Sequence, residues 1–159
     1  MKKMLFFINP NAGHSGIRPN LLKILEIFCG NGYDVRVHTT QGPREITRMI
    51  AAEGERYDLI VSSGGDGTLN ETIAGLVQLA HPPVLGYIPA GTVNDVASSL
   101  GLSLDPVQAA RDIVFGEEAP LDAGRFNGRT FTYVAAFGAF TRVSYATPQE
   151  SKRTLGRLA

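Results

Sequence analysis

Apolar residues in this chain fall into short blocks that alternate between unbroken runs and helical stripes. Residues 4–8 form a continuous apolar run closed by Asn9-Pro10, the pattern of a strand buried on both faces. Leu21, Leu22, Ile24, Leu25, Ile27 and Phe28 follow at helical spacing, and Gly30-Asn31-Gly32 stops that helix. Val35, Val37 and Thr39 alternate and predict a second strand. Ile46, Met49 and Ile50 predict a second amphipathic helix, with Pro43 at its first turn. Residues 59–61 read as a third buried strand. The helix predicted over 68–79 turns Leu69, Ile73, Leu76 and Val77 inward. Residues 84–88 give a fourth strand, followed by a helix over 93–100. Asp105-Pro106 then opens one more helix, reaching Phe115.

Strand and helix thus alternate through about the first hundred residues. The pattern predicts an α/β fold, a Rossmann-like parallel sheet with helices on both faces. Beyond it the character changes. Residues 121–125 and 130–136 read as two strands around Asn127-Gly128, a hairpin turn signal. The switch from parallel to antiparallel places a boundary near residue 118. Residues 1–117 are expected to form the α/β nucleotide-binding domain, and 118–159 the start of an incomplete β domain. Phe126, Phe131, Tyr133, Phe137 and Phe140 are expected to build the core of that β region. There is no internal repeat and no low-complexity tract.

Composition narrows the picture modestly. Of 159 residues, 43% are hydrophobic and 19% charged, the range of an ordinary globular core. Fifteen basic residues balance fifteen acidic ones, and no basic block supports nucleic-acid binding. Cys29 is the only cysteine, so an internal disulfide and a Cys-based metal cluster are excluded; its apolar helical setting reads as a core position. The apolar stretch at the N-terminus stops at Asn9-Pro10, too short for a signal-peptide core, and nothing has the length of a bilayer span. A cytoplasmic protein is the expectation.

The chemistry lies in the turns that leave the strands. Ser63-Gly64-Gly65-Asp66-Gly67-Thr68 joins a buried strand to a helix. Consecutive glycines let backbone approach a ligand, and the helix presents unpaired N–H groups and the positive end of its dipole. Together these make an anion site suited to phosphate, here of a nucleoside triphosphate. Asp66 would repel phosphate without a metal or polar network, which suggests Mg²⁺ held through water; its bland role is to cap the helix starting near Thr68. The spacing excludes a dinucleotide fingerprint, because Asn70 stands where the third glycine belongs. No Gly-Lys pair exists for a Walker loop, and protein-kinase signatures are absent.

Pro89-Ala90-Gly91-Thr92-Val93-Asn94-Asp95 makes a second small-residue turn into a helix, with Thr92 as the expected cap. For Asn94 and Asp95, ordinary capping is as good a reading as ligand contact. Asn9-Pro10-Asn11-Ala12-Gly13 leaves the first strand at the same sheet edge, and Thr39 and Thr40 leave the second there. Four strand ends thus converge on one crevice, the place where α/β sheets bind ligands. His14, His38 and His81 have no metal-ligand spacing with one another and read as surface or turn residues.

Gly64-Gly65-Asp66-Gly67-Thr68-Leu69-Asn70-Glu71, with Asn9-Pro10 upstream and Gly91-Thr92-x-Asn94-Asp95 downstream, resembles the diacylglycerol kinase catalytic domain. The likeness is greatest to the bacterial soluble lipid kinases of the diacylglycerol and sphingosine kinase superfamily. It implies ATP and Mg²⁺ as cofactors, in a cleft between the α/β domain and a larger β domain. It further implies that Gly64, Gly65, Asp66, Gly67 and Thr68 hold the triphosphate and that Asn9, Pro10 and Thr40 contact the nucleotide. Asn70 and Glu71 belong to the same motif, and Gly91, Thr92, Asn94 and Asp95 complete the site. Asp122 and Gly124 match the entry to the β domain.

The family's catalytic base is an aspartate late in that β domain, and this chain ends at Ala159 before such a motif. The expectation is therefore a fragment of a longer kinase or a naturally short protein, with Asp66 as the one catalytic candidate in hand. A lipid substrate, peripheral contact with a membrane surface and a homodimer are also implied. The alternatives are a non-catalytic nucleotide-binding module and an NAD kinase-like enzyme, which shares the Gly-Gly-Asp-Gly loop.

Overall fold

Met4, Leu5, Phe6 and Phe7 are wholly buried, and that one apolar run sets the architecture. Successive side chains of a strand point to opposite faces, so a strand apolar at every position needs cover on both. The computed structural model describes residues 1–13 and 17–132. Strand β1 (Lys2–Ile8) lies inside a four-stranded parallel sheet of order β2-β1-β3-β4, with β2 Tyr33–Thr39, β3 Leu59–Gly64 and β4 Val84–Pro89. Met4, Phe6, Leu59, Val61 and Ile88 pack against α1 (Ile17–Gly30) and, through Ala109 and Ala110, α5 (Pro106–Phe115). On the other face Leu5, Phe7 and Ile60 meet α2 (Glu45–Glu53) and α3 (Asp66–Leu76). A third cluster joins α3 to β4 and the short α4 (Asp95–Ser99) through Leu69, Ile73, Tyr87, Val96 and Ala97.

The expected fold is therefore present: a parallel α/β sheet covered on both faces, then a separate two-stranded antiparallel sheet, β5 (Gly124–Phe126) and β6 (Arg129–Phe131). Asp105 caps α5, its Oδ1 accepting from the Gln108 amide at 2.7 Å, with Pro106 as the first helical residue. Asn127 and Gly128 both take positive φ, as a tight hairpin turn requires. No helix among the described residues is long and apolar enough to cross a membrane.

Several local readings are corrected. Leu22 is 72% exposed and Cys29 is exposed, because the buried stripe of α1 runs through Ile17, Ile24 and Phe28. Val77 lies beyond the end of α3 and is exposed. Pro43 precedes α2, whose N-cap is Arg44 in the left-handed region. The helices expected over 68–79 and 93–100 are α3, which starts two residues earlier, and α4, which is only five residues long. The hairpin strands are three residues each, and β5 starts three residues later than expected. Phe126 is 61% exposed rather than core, whereas the Phe131 ring lies over Gly124. Tyr133, Phe137 and Phe140 lie outside the described residues.

The Ser62 and Ser63 hydroxyls are enclosed in β3 without a hydrogen-bond partner among the described residues. A buried unsatisfied hydroxyl costs about 1–3 kcal/mol. Ser62, paired in register with Phe7 and Tyr87, is the cleaner test. Ser62→Ala is expected to leave the urea unfolding free energy unchanged or to raise it. A loss above about 1 kcal/mol would show that the hydroxyl is satisfied after all.

Candidate functional site

The strand order puts β2 on one side of β1 and β3 with β4 on the other, so the chain direction across the sheet reverses between β1 and β3. Loops leaving two such strands diverge to opposite faces and open a crevice at their carboxyl ends. The loop after β1 begins at Asn9, and the loop after β3 begins at Gly65. The crevice therefore opens between the first two sequence motifs, and the loops after β2 and β4 flank it.

These loops are bonded to one another. Asn9 Nδ2 donates to Thr68 Oγ1 at 3.0 Å, and Asn9 Oδ1 accepts from the Asn11 amide at 3.0 Å. The Asn9 amide donates to Ser63 O at 2.9 Å and the Thr40 amide to Ile8 O at 2.9 Å, extending the ladder past the strand ends. Ala90 N donates to Gly64 O at 2.7 Å, and the Tyr87 hydroxyl donates to the same carbonyl at 3.0 Å. Burial first, then the nearby Asp66 charge, push the Tyr87 pKa well above its ordinary value, so it stays a donor.

Asp66 departs from expectation in an informative way. The N-cap of α3 is Gly65, and Asp66 does not cap its own helix. Its carboxylate instead reaches across to α4, Oδ2 accepting from the Asp95 amide and Oδ1 from the Val96 amide, both at 3.1 Å. A carboxylate bonded to the first amides of a helix satisfies orphan donors and offsets the dipole. Thr92, the expected cap, is exposed. The N-cap is Asn94, at φ 57°, with its side chain folded back on the turn: Oδ1 accepts from Gly91 N at 2.8 Å and Nδ2 donates to Gly91 O at 2.9 Å.

The glycines divide by what surrounds them. A Cβ on Gly91 would sit 2.5 Å from Gly65 Cα, and one on Gly13, at φ 52°, would sit 2.6 Å from Ala90 O. A Cβ on Gly64 would strike the Thr68 side chain. These glycines let three backbones touch. Gly67 is different: it is exposed, and a Cβ there meets nothing within 4 Å. The amides of Asp66 and Gly67, first in α3, have no partner among the described residues. Of the expected phosphate residues, then, Gly67 borders open space, while Thr68 is buried and committed to Asn9. Asn70 and Glu71 lie one turn further along α3, where Glu71 O accepts from Thr47 Oγ1. Pro10 is half-buried, its carbonyl accepting from Arg18 at 3.4 Å. Asp122 is exposed just before β5, and His14 lies outside the described residues.

Nothing in the sequence pointed to a role for Tyr87 or Glu45, and His38 read only as a surface or turn residue. Tyr87 gave no signal, since an aromatic in a buried strand reads as core. Glu45 and His38 form a 2.7 Å pair beside Thr40, with Glu45 also accepting from the Gln41 and Gly42 amides at 2.6 and 3.1 Å. The Gln41 amide bond first, and His38 next, hold the Glu45 pKa below its usual value. A glutamate in the first turn of a helix was the available clue. Among the described residues no three acidic, His or Cys side chains converge as a metal site.

The seam between the two small-residue loops can be tested by coupling. Asp66→Ala should cost about 0.5–2 kcal/mol as a lost helix cap. Gly91→Ala should cost about 1–3 kcal/mol through overpacking. Both changes open the same seam, so in urea unfolding the double variant should lose less than the sum of the two. Additive losses would mean that the loops are not joined there.

Residues 3–126 match the family model of the diacylglycerol kinase catalytic domain. A diacylglycerol kinase of Bacillus subtilis is 37% identical over 161 residues, covering 100% of this chain and 53% of the relative. A diacylglycerol kinase of Staphylococcus saprophyticus is 35% identical over 159 residues, covering 99% and 52%. The crystal structure of a diacylglycerol kinase from Bacillus anthracis superposes with TM-score 0.74 at 33% identity, over 82% of this chain and 45% of that one. The chain thus spans about half the length of the curated relatives it matches. With its parallel sheet, its Gly-Gly-Asp-Gly-Thr loop and these relatives, the chain belongs to the diacylglycerol kinase catalytic domain family.

Proposed function

We propose that this chain is the ATP-binding part of a lipid kinase that transfers the γ-phosphoryl group of ATP to a lipid hydroxyl, such as that of diacylglycerol. The observation that carries the reading is the open space at Gly67, beside two amides without a partner among the described residues, at the start of an eleven-residue helix. That arrangement favours phosphate by hydrogen bonding and by the helix dipole. Names of the relatives support the lipid as acceptor and the kinase reaction that uses ATP.

In this reading Gly64 and Gly65 shape the loop, the Asp66 and Gly67 amides take phosphate oxygens, and Thr68 with Asn9 fixes the first loop against α3. Thr40 lies next to Asn9, where the rest of the nucleotide would extend. Gly91, Thr92, Asn94 and Asp95 form the far wall. Asp66 keeps lone pairs beyond its two amide bonds and can reach the water shell of a Mg²⁺ ion brought by the nucleotide. Such an ion would neutralise charge on the transferring group. Asp66 is thus assigned to organising the site rather than to proton abstraction. Residues 1–117 are the nucleotide-binding unit in this reading, and residues from 118 onward begin the β part of the cleft. Cytoplasmic location, contact with a membrane surface through the lipid and pairing of two copies belong to the same proposal.

Calorimetry of the chain with ATP and Mg²⁺ tests binding, and Gly67→Ala tests its place. Alanine meets no protein atom there and removes glycine's entropy, so stability should hold or rise by about 0.5–1 kcal/mol. A methyl placed against the phosphates should nevertheless weaken ATP binding by about tenfold or more. Unchanged affinity would move the phosphates elsewhere. For the acceptor, a longer form carrying the β part should phosphorylate diacylglycerol; phosphorylation of NAD or a sugar phosphate instead would contradict the lipid assignment.

A further inference from the structure

Several polar groups of the turn between β2 and α2 are bonded within it, but one is not. Glu45 Oε2 accepts from the Gln41 amide at 2.6 Å and from the Gly42 amide at 3.1 Å, while Oε1 pairs with His38 Nε2 at 2.7 Å. Gln41 Nε2 donates to Thr39 O at 3.0 Å. His38 is steadied from behind by the Phe7 ring, edge-on at 5.8 Å between centroids. Arg44 adopts φ 61°, so the chain enters α2 in a conformation that disfavours side chains, and no side-chain cap from Arg44 offsets it. The Glu45 carboxylate instead holds two amides of the turn that leads into the helix.

The exception is Thr40. The residue is 8% exposed, yet its hydroxyl makes no hydrogen bond among the described residues, and unlike those of Ser62 and Ser63 its oxygen is not fully enclosed. Its backbone is fixed beside the crevice by the Thr40 N to Ile8 O bond, one residue before Asn9. A nearly buried hydroxyl without a protein partner is poised for a ligand, because an incoming acceptor or donor removes the cost of leaving it unpaired.

We propose that Glu45 is a positioning residue for nucleotide binding: by holding the Gln41 and Gly42 amides it fixes the turn that presents the Thr40 hydroxyl to the nucleotide. Glu45 touches no ligand itself and acts through Thr40. The inference rests on the nucleotide reading above.

The test is calorimetric titration of the full chain with ADP and Mg²⁺, alongside amide signals of Gln41 and Gly42 by NMR. Glu45→Ala should weaken nucleotide binding about tenfold or more, the usual effect of removing a partner that orients a binding group. Glu45→Gln keeps an oxygen that can accept from both amides and should bind close to the unaltered chain, a rescue that a purely electrostatic role would not give. If the alanine variant does not fold, Glu45→Asp, too short to span both amides, should show the same loss. Full affinity in a folded Ala or Asp variant whose Gln41 and Gly42 amides have lost protection overturns the inference alone. A glutamine variant as weak as alanine also overturns it. No binding by the unaltered chain overturns the nucleotide reading as well.

Discussion

Asp66 stands at the start of α3 but spends its charge on another helix. By accepting from the Asp95 and Val96 amides it joins the loop after β3 to the loop after β4, at the point where Gly65 and Gly91 bring their backbones together. A side chain on Gly91 would force the loops apart, and one on Gly65 would crowd them. A neutral, shorter residue at position 66 would leave the amides of α4 unpaired. The remaining site geometry follows from this seam, because α4 is only five residues long and has little intrinsic stability of its own.

Once the seam is closed, the other loops are added by hydrogen bonds that continue the sheet. Asn9 reaches Thr68, Thr40 is tied to Ile8 and Tyr87 is tied to Gly64. The result is a rim of bonded loops beside Gly67, where a Cβ would meet nothing within 4 Å. A rim fixed in advance suits a phosphate-binding role, since phosphoryl transfer is catalysed mainly by positioning and charge stabilisation rather than by covalent chemistry of the protein.

The sheet was legible in the sequence because residues 4–8 and 59–61 are apolar without interruption, and a strand buried on both faces has few alternatives. The motif positions were legible too, since glycines beside helix starts carry a physical signature. Pairings between loops were not. Asp66 suggested a metal held through water, with a cap for the helix next to it in sequence as the bland alternative, and only the fold shows that the amides it holds lie at Asp95 and Val96. Thr92 looked like a cap by type, but the left-handed Asn94 and the Asp66 carboxylate leave it no such task. His38 read as a surface or turn residue because its partner, Glu45, lies seven positions away in the chain. Leu22 and Val77 were misplaced for a simpler reason: helical spacing names a stripe but not its edges.

The central claim is that nucleotide phosphates sit at the start of α3, on a rim formed jointly by the loops after β1, β3 and β4. Amide hydrogen exchange of the chain with and without ATP and Mg²⁺ tests it most directly. The account requires the Asp66 and Gly67 amides to gain protection on binding, with smaller gains through residues 9–13 and 91–96. Protection confined to other parts of the sheet, or no change at millimolar ATP, would contradict it.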